Sequence, residues 1–178
     1  MAIRGRKNGG GVRLARKRAG DYLTALLLLV CLGLAAAIAA RFSETSLTGR
    51  PHVADGDSIA IGSRRVRLEG IDAPELTQTC RREGRTIDCG RLARQHLIGR
   101  IGDAPVECTG SQNDRYGRLL ATCRAWGTNL NAAMVSASWA IAYGGYEAEQ
   151  RDARQARRGL WALDFDAPAD WRRLHGRP

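Results

Sequence analysis

Three features of the amino-acid sequence set the expected fold class. Short apolar-alternating runs bounded by Gly and Ser turns mark strands. Runs with apolar residues at helical spacing follow later in the chain. One long uncharged run sits behind a basic head near the N-terminus. Together they predict a mainly β domain with helices, a small closed barrel such as the OB-fold, preceded by one transmembrane helix. A split α+β sheet fits the same periodicity nearly as well.

The chain has 178 residues, enough for one domain with a core plus appendages, and its 44% hydrophobic content is globular rather than disordered. The net charge of +10 is unevenly spread: residues 1–41 hold eight of the 28 Lys and Arg but only one of the 18 Asp and Glu. The excess therefore belongs mostly to the head, and the mildly basic body permits a polyanionic partner without demanding one.

Residues 1–21 read as a basic cytoplasmic segment, and residues 22–40 as a membrane anchor or signal peptide. Tyr22 to Ala40 is nineteen residues without a charge. As a helix it spans about 28 Å, against a hydrocarbon core of about 30 Å. Seven Lys and Arg precede it, which keeps the N-terminus in the cytoplasm and sends the body outside. Ala37-Ile38-Ala39 offers a cleavage site, but the run is longer than a usual signal core of about 7–15 residues. An anchored domain outside the cytoplasmic membrane is the expectation, with secretion after cleavage as the alternative.

Residues 41–50 are polar, without apolar period, and read as a linker. The domain is expected over 51–163. Val53 to Ile61 and Arg65 to Ile71 read as strands joined by Gly62-Ser63-Arg64. Gly90 to Gly99 reads as a helix with Leu92, Ala93 and Leu97 on one face, and His96 beside that face reads as a boundary residue. Pro105 to Cys108 and Leu119 to Ala125 are further strands. Asn129 caps a helix carrying Leu130, Ala133, Met134 and Ala137. A last helix runs from about Tyr146 to Arg158, with Tyr146, Ala153, Ala156 and Leu160 as its buried stripe and Trp161 plugging the core behind it. Residues 164–178 read as an irregular basic tail.

Cys31 lies in the apolar run, which leaves four cysteines in the body. Cys108 and Cys123 flank a hairpin symmetrically, and Cys80 and Cys89 bracket a polar loop. Two local disulfides in an exported domain are the simple reading. Zinc sites usually show Cys-x2–4-Cys pairs, which are absent.

The chemistry gathers between Asp55 and Glu75. Asp57 and Asp72 sit at the ends of adjacent strands, and two carboxylates with backbone oxygens and water suit a hard cation, Ca²⁺ or Mg²⁺. Glu75, just past Pro74, is a carboxylate able to orient or deprotonate a water. Arg67 and Arg118 together make a bidentate clamp for a phosphate. A structural ion-pair network or a solvated acidic turn accounts for the same residues taken singly.

Asp55-Gly56-Asp57-Ser58, Arg67-Leu68-Glu69-Gly70-Ile71-Asp72-Ala73-Pro74-Glu75, Asp114-Arg115-Tyr116-Gly117-Arg118 and Gly159-Leu160-Trp161 resemble, in order, the motifs of the thermonuclease (staphylococcal-nuclease-like) family. Trp171-Arg172-Arg173 resembles the extended tail of exported bacterial members. The resemblance covers about Pro51 to Trp161 and implies a five-stranded OB-fold barrel with three α-helices. It implies a calcium-dependent nuclease with little sequence preference, acting on DNA and RNA by in-line attack of water. By that likeness Asp57 and Asp72 ligate Ca²⁺ through their side chains and Ala73 through its carbonyl, with Asp55 behind them. Glu75 acts on the attacking water, and Arg67 and Arg118 bind the scissile phosphate. Arg115 and Tyr116 approach the neighbouring phosphate, and Tyr143 or Tyr146 the nucleotide. Ser58 stands where threonine is usual, which keeps the hydroxyl.

The expected partners are single-stranded or locally opened DNA and RNA, and the membrane through residues 22–40; the chain is expected to be a monomer. A non-catalytic OB module that binds nucleic acid is the competing class. It has no use for three carboxylates and two arginines together, and aromatic residues at 6% are thin for a stacking platform.

Overall fold

The computed structural model describes the backbone of residues 11–41 and 44–176, and the side chains of residues 22–38 and 44–176. The chain divides into two compact units, Met1–Glu44 and Thr45–Pro178. The first contains helix α1 (Gly11–Arg41). The expected membrane span over 22–40 finds no support there: among the described residues no helix is long and apolar enough to cross a membrane.

In the second unit, β1 (Thr45–Gly49) is followed by β2 (Pro51–Val53), β3 (Ser58–Ile61), β4 (Arg64–Leu68) and β5 (Ile71–Asp72). A small hairpin, β6 (Cys80–Arg82) and β7 (Arg85–Ile87), leads into α2 (Cys89–Ile101). Then come β8 (Val106–Asn113), β9 (Leu119–Ala125), β10 (Thr128–Asn129), α3 (Leu130–Ser136), β11 (Ile141–Ala142), α4 (Glu147–Gln155), a 3₁₀ turn (Gly159–Ala162) and α5 (Pro168–His175). One curled seven-stranded sheet runs β1-β8-β9-β4-β3-β2, with β10 on β9. Its pairs are antiparallel except β4 on β9, which is parallel. Strand β11 pairs with β5, and β6 with β7. This curled sheet with α2, α3 and α4 fits an OB-like fold.

Several elements differ from the sequence reading. Thr45–Gly49, expected within a linker, is an edge strand paired with β8, and Leu47 packs on the core. The first expected strand is two, because Asp55-Gly56-Asp57 turns between β2 and β3. The tail is not irregular: it forms α5, with Pro168 in its first turn. The plug behind α4 is Leu160, fully buried with Cys80 and Cys89, while Trp161 stays half-buried against Phe165. Ala156 is exposed, so the inner face of α4 comes down to Ala153.

The core is apolar and continuous: Ile59, Val66 and Leu68 from β3 and β4, Leu97 from α2, Val106 and Ala121 from β8 and β9, and Leu130 and Met134 from α3. Asn129 caps α3 by accepting the Ala132 N–H at 3.1 Å. Both disulfides join the cysteines that the bracketing pairs, Cys80 with Cys89 and Cys108 with Cys123, the latter directly across β8 and β9. Cys31 is free and exposed.

Candidate active site

Strand register assembles the site. In the β3–β4 pair Ser58 lies opposite Arg67, so Asp57, one residue earlier, meets the end of β4; its carbonyl accepts the Leu68 N–H at 2.8 Å. The parallel β4–β9 pair sets Val66 beside Leu119, which brings Arg118 to the same edge. Asp72 ends β5 after a turn at Gly70.

The Asp57 turn allows no side chain at position 56. A Cβ on Gly56 would lie 2.6 Å from the Ala73 Cβ and 2.9 Å from the Ala93 Cβ. Asp55 closes the turn, its Oδ1 accepting the Asp57 N–H at 3.0 Å. Asp57 itself is 1% exposed. Its Oδ2 accepts the Ala73 N–H at 2.6 Å, and its Oδ1 accepts from Ser58 Oγ at 3.2 Å and from Arg67 Nη1. Arg67 Nη2 donates to Asp72 Oδ1 at 2.6 Å, so one guanidinium bridges both aspartates.

Burial pushes the Asp57 carboxyl well above its usual range, opposed by Arg67; Asp55 and Asp72 raise it further, and the Ala73 N–H lowers it. Burial works against the charge on Arg67, but Asp57 and Asp72 outweigh it and hold the guanidinium protonated. Buried charges of this kind need a counter-charge close by.

Arg118 is held from the opposite side. Asp114 Oδ2 accepts from its Nε at 2.8 Å and from its Nη2 at 2.7 Å, and Asp114 Oδ1 accepts the Arg118 and Tyr116 N–H groups. Burial works to raise the Asp114 carboxyl, but these hydrogen bonds from Arg118 and its charge hold it below its ordinary value. Arg118 Nη1 donates to Ser58 Oγ at 3.2 Å.

Glu75 is oriented from its backbone. Its N–H donates to the side chain of buried Gln78 at 3.2 Å, and its carbonyl accepts the Gln78 N–H at 2.8 Å. A Cβ on Gly90 would stand 1.8 Å from that carbonyl oxygen, so the start of α2 approaches here only as glycine. The Glu75 carboxylate accepts Arg172 Nη1 at 2.8 Å. Arg172 also spans Asp72, with Nη1 to Oδ1 at 3.0 Å and Nη2 to Oδ2 at 2.8 Å. Its hydrogen bonds to Asp72 raise its pKa; burial opposes them, and Glu75 adds to the rise.

Two clefts open on these groups. One of about 520 Å³ holds Asp55, Arg67, Glu75, Tyr116, Arg118 and Arg172. The other, of about 600 Å³, has Asp72, Arg115, Tyr116, Tyr143 and the same Arg67, Arg118 and Arg172 in its wall. Arg115 lies over the Tyr116 ring at 4.9 Å. The structure thus gathers Asp55, Asp57, Arg67, Asp72, Ala73, Glu75, Arg115, Tyr116, Arg118 and Tyr143 in one region. Tyr146 stays out of it: its ring packs over Gly70 and its hydroxyl accepts from Asn129 at 3.4 Å.

Among the described residues no group of three or more His, Cys, Asp or Glu side chains is gathered to hold a metal ion. The expected set needs only two, Asp57 and Asp72, completed by a carbonyl and water. Its chemistry fits a hard divalent cation, because two buried carboxylates offer oxygen donors alone. Their neutralising charges here are the guanidinium groups of Arg67 and Arg172.

The sequence reading missed Arg172, Asp114 as the brace of Arg118, and Gln78. Asp114 was legible as the acid four residues before Arg118; nothing in the sequence singles out Gln78.

The staphylococcal nuclease homologue family matches residues 65–163. The succinoglycan biosynthesis protein ExoI of Rhizobium meliloti (strain 1021) is 31% identical over 172 residues, covering 90% of this chain and 85% of that one. An uncharacterized endonuclease of Escherichia coli O157:H7 is 38% identical over 130 residues, covering 67% and 78%. The micrococcal nuclease of Shigella flexneri is 35% identical over 144 residues, covering 68% and 77%. With a family match over more than half its length and relatives covered for more than two thirds of theirs, this chain belongs to the staphylococcal nuclease homologue family.

Proposed function

We propose that the chain is a calcium-dependent nuclease that hydrolyses phosphodiester bonds of DNA and RNA with little sequence preference. The observation that carries this reading is the cleft that holds Arg67, Glu75 and Arg118 together, with Arg67 joined to both Asp57 and Asp72. The endonuclease and micrococcal nuclease among its relatives support it. Asp57, Asp72 and the Ala73 carbonyl are the groups that would hold the cation. When bound, calcium supplies Lewis-acid charge to the phosphate oxygens.

The chain's own residues do the rest. Glu75 accepts a proton from the attacking water, whose oxygen forms the new P–O bond as the bond to the leaving oxygen breaks in line. Arg118 and Arg67 bind the non-bridging oxygens, and their hydrogen bonds strengthen as negative charge gathers there. Arg115 and Tyr116 bind the next phosphate, and Tyr143 faces the nucleotide. Single strands and locally opened duplex are the substrates, because a narrow site needs a phosphate freed from duplex geometry. The chain acts as a monomer.

We place the catalytic domain outside the cytoplasmic membrane, either held there by residues 22–40 or released by cleavage. The basic head before the apolar run and the two disulfides support export. A C-terminal reporter active only in the cytoplasm should be silent; a strong signal would sink this topology. For the activity, purified full-length chain should digest single-stranded DNA and RNA with calcium and stop with excess chelator. Equal digestion in chelator would overturn the mechanism.

A further inference from the structure

The nuclease reading, on which this inference rests, uses two arginines. A third stands between its carboxylates. Arg172 forks onto both oxygens of Asp72 and reaches Glu75 with the same Nη1, at 2.8–3.0 Å throughout. The three side chains are 16%, 7% and 17% exposed. Arg172 is also in the wall of both clefts, beside Arg67 and Arg118.

Its helix is anchored for this placement. Gln78, fully buried, accepts the Glu75 N–H through Oε1 and donates Nε2 to the Asp166 carbonyl at 2.8 Å. One side chain thus ties the Glu75 segment to the residues just before α5. Arg81 and Asp164 exchange two backbone hydrogen bonds, at 2.8 and 2.9 Å. The hairpin that carries Arg81 is closed by the Cys80–Cys89 disulfide. A loose tail pairing by chance has no such double tether.

We propose that Arg172 is a positioning residue of the hydrolytic reaction: it holds the Glu75 carboxylate beside Asp72, and it occupies the place on Asp72 that the cation takes over. A carboxylate offers about four lone-pair sites. On Asp72 three hydrogen bonds already fall, one from Arg67 and two from Arg172. Because Arg172 engages both Asp72 oxygens with a positive charge of its own, cation and Arg172 compete for Asp72, and binding of one must weaken the other. Displaced from Asp72, the guanidinium still has Glu75 to hold, so the acceptor of the water's proton stays aligned.

The test uses full-length wild type, Arg172→Ala and Arg172→Gln, each checked for folding by circular dichroism and urea denaturation. Arg172→Gln keeps a polar side chain if Arg172→Ala fails to fold. Calcium binding is titrated by calorimetry without nucleic acid, and kcat and KM are measured on single-stranded DNA. Loss of the competing charge should tighten calcium binding by about fivefold or more. Loss of alignment should lower kcat by about 10- to 100-fold with KM nearly unchanged. Arg172→Lys should recover part of kcat, since an ammonium keeps charge without the fork. A merely structural arginine would lower stability and leave calcium binding unchanged or weaker. A kcat near wild type, or calcium binding that is not tightened in a folded variant, overturns the proposal. If wild type itself digests nothing, the nuclease reading fails, and the calcium titration still decides the competition for Asp72.

Discussion

Arg118 donates to the Ser58 hydroxyl at 3.2 Å across sixty residues of chain. Ser58 in turn donates to Asp57, so Arg118 and Asp57 share one hydrogen-bond path. Asp114 fixes the other side of the guanidinium. This is a preorganised donor, and its value is greatest where charge develops in the transition state.

Arg118→Ala should therefore lower kcat by about 10²-fold or more, with a smaller effect on KM. Arg118→Lys should not restore it, because a point charge cannot serve Asp114, Ser58 and a phosphate at once. Steady-state kinetics on single-stranded DNA check both variants. Near-full turnover of Arg118→Ala would remove Arg118 from the mechanism.

Asp57→Ala and Glu75→Gln should fail in different ways. Asp57 is buried and accepts from Arg67, Ser58 and the Ala73 N–H, so its removal leaves those donors short of an acceptor and Arg67 with Asp72 as its remaining carboxylate. The cost should be about 1–3 kcal/mol in urea denaturation. Calcium binding should weaken too, and raised calcium should recover part of the activity. Glu75→Gln keeps the shape and loses the basic oxygen, so added calcium should not repair it. Calcium rescue of Glu75→Gln would reassign Glu75 to the metal.

Much of this site was legible because its parts lie close in sequence on neighbouring strand ends. Asp57, Arg67 and Asp72 fall within sixteen residues, and the β3–β4 register with the turn at Gly70 brings them together. Arg172 was not, since only tertiary contacts through Gln78 and Arg81 bring α5 back. The helix itself left a signal: Pro168 at the start, Asp170 in the first turn, and Arg172, Arg173 and His175 in the last. The strand Thr45–Gly49 was lost to its polar composition, as only Leu47 packs on the core. Leu160 is buried as its place in the stripe implies, but size makes Trp161 read as the plug, whereas the space beside the Cys80–Cys89 disulfide takes the leucine.

His96 gives a pH prediction away from the site. Its Nε2 is buried without a hydrogen-bond partner, and the ring lies near Trp139. Burial, with Arg100 adding repulsion, lowers its pKa below the ordinary 6.5. The unfolded chain thus takes up the proton first. The stability His96 allows is complete above pH 6.5 and is lost as pH falls through the folded-state value. Urea denaturation from about pH 8 to about pH 5 should show a steeper decline in wild type than in His96→Gln. Identical slopes would mean that His96 is not held neutral by the fold.

The Cys108–Cys123 bridge joins directly opposed residues of β8 and β9, an antiparallel pair inside the sheet, with both sulfurs in the core. It closes a loop with a sequence separation of 15 that contains Asp114, Arg115, Tyr116 and Arg118. In the chain-entropy picture, such a link restricts the unfolded state most. Replacing both cysteines with alanine should lower unfolding stability by about 2–5 kcal/mol. The strand pairing on either side persists, and Arg118 is held by Asp114 and Ser58 rather than by the sulfurs. Turnover at low temperature, where the double variant remains folded, should therefore stay near wild type. A loss of kcat as large as that of Arg118→Ala, measured on protein folded by circular dichroism, would show that the bridge sets the geometry of the clamp.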